Sequence, residues 1–216
     1  AGLEEEVGRM ALLLEEARER EASTAEALEE SEIEAAASRE RIEALIRKTF
    51  QVTRAALVLD MTDFSISVRR TGILAHLALI RRMQVLARAP IVDAGGEIVK
   101  HDADNVFAVF PDAAQALRAA EAIQQQLAGQ GLATTDGCSV GASIGIDVGD
   151  ILLIRETDFF GDAVNIASRL GEDLAARGEI LVSERAWAAA GKPPGYEAAE
   201  YVVSGLPIPV FRRRFT

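Results

Sequence analysis

The spacing of hydrophobic positions changes near residue 50, and that change divides the chain. Residues 3–49 contain no Pro and one Gly, Gly8, and are rich in Ala, Glu, Leu and Arg, all good helix formers. A 4-3 spacing from Leu3 visits Val7, Met10, Leu14, Ala17, Glu21, Thr24, Leu28, Ser31, Ala35, Ser38, Ile42, Leu45 and Thr49, and nine of these fourteen positions are apolar. The stripe is strong at both ends and weak at Glu21, Thr24 and Ser31. This predicts one long helix over residues 1–49 that pairs as a two-stranded coiled coil with a soft centre. The other reading is a lone charged helix lying against its own domain. The coiled coil is favoured, because a helix this long has no other way to bury a stripe.

From residue 51 the pattern shortens. Ala55-Ala56-Leu57-Val58-Leu59 reads as a buried strand closed by Asp60, and a helix follows over about 71–89. Gly95-Gly96 opens the strand Glu97–Lys100, and His101–Asn105 is a polar turn before the strand Val106–Phe110, which together make a β-hairpin. Residues 111–128 read as a helix. Ser139–Asp147 and Ile151–Ile154 read as two strands parted by Val148-Gly149-Asp150, and a helix runs from Gly161 to about 175. Ile180-Leu181-Val182 is a strand, Ser183 caps a short helix to about 190, and strands near 197–204 and 208–215 close the chain. Hairpins interleaved with helices, without regular βαβ alternation, indicate an α+β domain over residues 50–216.

Composition narrows the possible functions. The chain has 216 residues and a net charge of −11, of which residues 1–50 supply −7 through fourteen Glu against seven Lys or Arg. There is no basic excess to suit a nucleic-acid binder. The single Cys138 excludes an intramolecular disulfide framework and a Cys-rich zinc site. No apolar run reaches the ~18–20 residues of a membrane span. A cytoplasmic catalytic part is expected. The chain begins at Ala1 in what reads as mid-helix, so a longer protein with an upstream sensor domain or membrane anchor is also expected.

Candidate chemistry sits at strand ends and turns. Asp60 closes the first strand and Asp104 lies in the hairpin turn. Two carboxylates reaching one point can hold Mg²⁺, with phosphate oxygens and water completing the shell. Each is equally an ordinary turn aspartate by spacing alone. The segment Met61-Thr62-Asp63-Phe64-Ser65 leads into a helix, where free backbone N–H groups can hold a polyphosphate. Asn165 and Arg169 stand one turn apart on one helix face. That arrangement suits charge on a transferring phosphoryl group, or is a surface Arg beside an Asn. Lys100 is one of three lysines among twenty arginines, and alone it is consistent with a solvated strand residue.

Together these segments resemble the class III adenylate and guanylate cyclases over about residues 54–211. Leu57–Ser65 resembles the first metal motif, and Gly96–Phe110 the purine-lysine and second metal motif. Gly145-Ile146-Asp147-Val148-Gly149 resembles the short strand-turn signature, and Asp158–Arg169 the most specific stretch, all in the family's order. The resemblance implies a ferredoxin-like βαββαβ core with added elements, working as a homodimer with sites at the interface. It implies that Asp60 and Asp104 hold two Mg²⁺ or Mn²⁺ ions and that Phe64 and Ser65 belong to the substrate-binding loop. Lys100 and Asp158 of the other protomer would read adenine. Asn165 would orient the ribose, and Arg169 would stabilise the transition state as ATP becomes 3′,5′-cyclic AMP and pyrophosphate. The rivals are a guanylate cyclase and a non-catalytic cyclase-homology module for dimerisation and signal relay. Three departures from the family pattern stand out. Asp63 replaces a Gly in the first metal loop. Ala103 and Asn105 stand where Gly is usual around Asp104, and Asn tolerates the positive φ such a turn needs. No Lys follows Lys192 to bind phosphate, a role for which Arg212 to Arg214 are the substitutes at hand.

Overall fold

The computed structural model describes residues 2–62, 73–133, 139–155, 157–203 and 206–215. The chain divides into two compact units, Ala1–Thr49 and Phe50–Thr216. The first is one helix, α1 (Gly2–Phe50). Apolar side chains stand open to solvent along it, among them Met10, Leu28, Ile42 and Leu45 at 56% or more exposure. None of the described helices is long and apolar enough to cross a membrane.

The second unit is built on a mixed sheet. Strand β1 (Gln51–Thr62) is followed by α2 (Ile73–Asp93), the hairpin β2 (Glu97–Asp102) and β3 (Asn105–Phe110), and α3 (Ala113–Gln130). Short β4 (Leu132–Ala133) precedes β5 (Ser139–Ile154), then β6 (Asp158–Phe160) and α4 (Asp162–Ser168), which runs into a π-helical stretch, Arg169–Leu174. Strand β7 (Glu179–Ser183), α5 (Glu184–Ala189), β8 (Glu197–Val203) and β9 (Leu206–Arg214) complete it. The sheet order is β2-β3-β1-β5-β7-β9-β8, with β4 and β6 added on β5. Elements β1, α2, β2, β3, α3 and β5 form the ferredoxin-like βαββαβ core, its strands antiparallel throughout. Strand β7 then joins β5 in parallel.

Strand β1 is buried on both faces, which explains its unbroken apolar run. Ala55, Leu57, Leu59 and Met61 enter the core shared with α2 and α3. Ala56 and Val58 enter the opposite one, with Ala163, Val164 and Ala167 of α4. Side-chain alternation therefore places Asp60 on the face that α4 covers.

Four local expectations are corrected. The segment Val148-Gly149-Asp150 is not a turn: β5 is continuous, and β1 pairs with it from Gln51↔Leu152 to Thr62↔Gly141. The Asp150 carboxylate accepts hydrogen bonds from Thr53 Oγ1 (2.5 Å) and Gln51 Nε2 (3.1 Å) on the neighbouring strand, so cross-strand pairing overrides turn propensity. Helix α2 continues past Ala89 to Asp93 despite Pro90, because Pro90 and Ile91 are buried. The helix starting after Gly161 is α-helical only to Ser168. The polar turn of the hairpin shrinks to Ala103-Asp104, closed by the Asp102↔Asn105 pair. The positive φ there falls on Ala103 (φ 50) and not on Asn105.

Candidate functional site

The βαββαβ topology brings Asp60 and Asp104 to the same end of the sheet. Strand β1 pairs with β3 up to Leu59↔Val106, so Asp60 is the next residue of β1 and Asp104 lies in the turn that opens β3. The Asp60 carboxyl is pushed up to about 7, first by burial, then by the negative charges of Asp104, Glu172 and Asp173, against a hydrogen bond from the Met61 N–H. The Asp104 carboxyl is also raised, chiefly by burial, against its own backbone N–H and the pull of His76. His76 is a buried residue of α2. Phe64, Ser65 and Asp63 lie outside the described residues. Among the described residues, no cluster of three or more His, Cys, Asp or Glu side chains has the arrangement of a metal site; Asp60 and Asp104 are a two-carboxylate set.

Lys100 on β2 and Asp158 on β6 meet as an ion pair, Nζ to Oδ1 2.8 Å. Aromatic packing fixes the lysine: its ammonium lies 5.1 Å from the Phe107 ring centre, and Phe107 meets Phe159 edge to face at 6.1 Å. The hydrogen bond from Lys100 holds the Asp158 carboxyl below the usual range despite some desolvation, with help from the Phe159 N–H. The result is a cationic donor and an anionic acceptor side by side, each about a third exposed.

Asn165 and Arg169 are both exposed, on α4 and at the first residue of the π-helical stretch. The Arg169 backbone N–H donates to the Asn165 carbonyl, which keeps the two one turn apart. The Arg169 guanidinium pairs with Asp173 at 2.5 Å. Two glycines set the depth of this segment. A Cβ on Gly145 of β5 would stand 2.1 Å from the Ala167 carbonyl oxygen and 2.3 Å from the Gly171 nitrogen. A Cβ on Gly171 would stand 2.6 Å from the Val58 carbonyl oxygen. Backbone meets backbone here, so α4 and the π-helical stretch rest directly on β1 and β5. Glu172 is exposed on this stretch, its carboxyl raised chiefly by desolvation and also by Asp173 and Asp102, against a hydrogen bond from Ser168 and the charge of Arg169.

A polar cluster behind α4 was not foreseen. Asp147 of β5 is fully buried and accepts hydrogen bonds from Ser183 Oγ and from Arg185 Nε (2.8 Å) and Nη2. Arg185 Nη2 also reaches Asp162 Oδ2, at the start of α4, at 2.9 Å. The signal was present in the sequence: a charged residue inside the apolar strand Ile144–Ile151 needs a buried partner. The proposed phosphate substitutes are otherwise engaged. Arg212 pairs with Glu197 at 3.4 Å, Arg213 with Glu121 at 2.6 Å and Arg214 with Glu179 at 2.7 Å.

Comparison with known proteins agrees with this fold. No family model matches the chain. The crystal structure of an adenylate/guanylate cyclase/hydrolase from Silicibacter pomeroyi matches with a TM-score of 0.65 at 33% identity, over 77% of this chain and 98% of that one. The chain therefore belongs to the class III adenylate/guanylate cyclase family. Its second unit is a cyclase catalytic domain of the adenylate or guanylate type. A Rhizobium meliloti (strain 1021) protein named "Putative adenylate cyclase 3" is 28% identical over 130 residues, 60% of this chain but only 22% of that protein's length. The guanylyl cyclase domain of the RhoGC fusion protein from the fungus Blastocladiella emersonii (TM-score 0.64, 76% of this chain and 97% of that one) shares the fold at 20% identity. So does the adenylyl cyclase CyaB from P. aeruginosa (TM-score 0.60, 77% and 96%), also at 20%. Cyclases named for either base share this fold, so the fold does not select the nucleobase.

Proposed function

We propose that residues 50–216 convert ATP to 3′,5′-cyclic AMP and pyrophosphate at sites shared between two copies of the chain. The observation that carries the choice of base is the Lys100–Asp158 pair at 2.8 Å. Adenine presents a ring-nitrogen acceptor beside a 6-amino donor. A Lys donor next to an Asp acceptor complements that edge, whereas guanine offers the opposite pattern and calls for an acceptor where Lys100 stands. The pair is formed in advance, so little ordering is left for the base to induce.

Asp60 and Asp104 fit one or two divalent cations, Mg²⁺ or Mn²⁺. Their carboxyls are raised by burial, and that of Asp60 also by neighbouring negative charge, a strain that a cation relieves. Such ions would neutralise triphosphate charge and acidify the ribose 3′-hydroxyl. The residues of α4 and the π-helical stretch would do the rest. Asn165 orients the ribose so that its 3′-oxygen lies in line with the α-phosphorus. Arg169 exchanges Asp173 for the phosphoryl oxygens as charge builds on them. The 3′-oxygen forms its bond to the α-phosphorus as the bond to the pyrophosphate oxygen breaks.

The test is turnover. Purified protein given Mn²⁺ with ATP or GTP should form cyclic AMP in preference to cyclic GMP. A GTP preference would overturn the base assignment. Absence of either product from folded, dimeric protein would favour the relay-module reading. The unpaired apolar stripe of α1, exposed at Met10, Leu28, Ile42 and Leu45, supports pairing of two copies through this helix as well as through the catalytic domains. A cytoplasmic setting and an upstream sensor are part of the same reading.

A further inference from the structure

We propose that Arg185 is a positioning residue for the helix that carries Asn165 and Arg169. This rests on the functional reading of α4 given above. Helix α4 spans only Asp162–Ser168, and its N-cap, Gly161, supplies no side-chain hydrogen bond. The pairing of β6 with β5 delivers the chain to this point, but no capping side chain holds the first turn of the helix. Arg185 does so from another element. Its guanidinium bridges two carboxylates, the buried Asp147 of β5 and the largely exposed Asp162 at the first residue of α4.

The anchor is rigid on its inner side. Asp147 is 0% exposed and also takes the Ser183 hydroxyl, and Ser183 itself caps α5 by accepting from the Ala186 N–H at 3.2 Å. Gly149 of β5 borders this junction: a Cβ there would make ordinary van der Waals contact, 3.4 Å from Ala163 Cβ and 3.9 Å from the Arg185 guanidinium carbon. The fork thus ties the start of α4 to the central sheet, one turn before Asn165 and two before Arg169. A planar guanidinium can hold two carboxylates at once in fixed geometry; a lysine ammonium cannot hold both with the same directionality. Misplacing a reacting group by about 1 Å costs up to ~100-fold in rate.

The experiment compares Arg185→Lys and Asp162→Asn with wild type. Arg185→Lys should lower kcat on the order of tenfold while KM for ATP and the melting temperature change little. Asp162→Asn leaves the buried Asp147 pair intact and should give an intermediate loss, which covers the case in which Arg185→Lys fails to fold. Wild-type kcat in both variants, or a loss that simply follows melting temperature, would overturn the proposal. Subunit mixing locates the effect. An Asp60→Ala chain mixed with an Arg169→Ala chain should regain activity, and failure with subunit exchange shown would count against shared sites while leaving the kinetic arm to judge Arg185. Given that rescue, Arg185→Lys should be complemented by Asp60→Ala and not by Arg169→Ala. The reverse pattern would place Arg185 with the carboxylates of β1 and sink the assignment.

Discussion

At the scale of single residues, Ala103 and Asp60 both carry conformational or electrostatic strain. Ala103 holds φ 50 in a turn whose chemistry prefers Gly. Ala103→Gly should stabilise the catalytic domain by about 1 kcal/mol, read as a higher melting temperature with activity retained. Asp60 binds its proton more tightly folded, at about 7, than unfolded, at 3.8. A raised carboxyl pKa means that the metal-free protein loses stability as pH climbs through that window. Asp60→Asn should therefore melt higher than wild type at pH 8 without metal, while abolishing turnover. Added Mn²⁺ should raise the melting temperature of wild type more than that of the variant. Asp60 and Asp104 stood out in the sequence by their place at a strand end and a turn, and Asn165 and Arg169 by sharing a helix face; only the resemblance to the cyclases joined Lys100 and Asp158 to them as an expected site. The Asp147–Arg185–Asp162 bridge was not, since its members are brought together across 38 and 23 residues of chain.

At the scale of elements, close backbone contact decides where the site residues stand. Gly145→Ala and Gly171→Ala would each push a Cβ into backbone atoms at 2.1–2.6 Å. Each should cost about 1–3 kcal/mol or more and displace α4, seen as a lower melting temperature together with lost cyclase activity. Element types were largely readable: α1, the β2–β3 hairpin, α3, β7 and the Ser183-capped α5 follow from hydrophobic period and capping chemistry. Three of the errors share one cause. The Gly-Asp of β5, Pro90 in α2 and the α-to-π change at Arg169 all depend on tertiary neighbours, namely β1, the buried core and the Gly145–Gly171 contact. Local propensity cannot report these.

At the scale of the whole molecule, two compact units invite a division of labour. If α1 raises the local concentration of partner domains, residues 50–216 alone should be less active at low protein concentration and recover as concentration rises. Activity per chain that does not depend on concentration would count against the tether. Disulfide crosslinks through cysteines placed at Leu28 and Ile42 should trap a covalent dimer if the helices run parallel in register. The charge of that helix has a further consequence. Each copy carries −7 over residues 1–50, so two helices side by side repel along their length. Counter-ions screen such repulsion over about 8 Å at physiological ionic strength. If α1 pairs as proposed, its apolar seam would hold the two copies against their own field, and dissolved salt or a drop toward acid should tighten the pair. Ordinary ion-pair interfaces respond to salt in the opposite sense, and the soft centre at Glu21, Thr24 and Ser31 is where the response should be greatest.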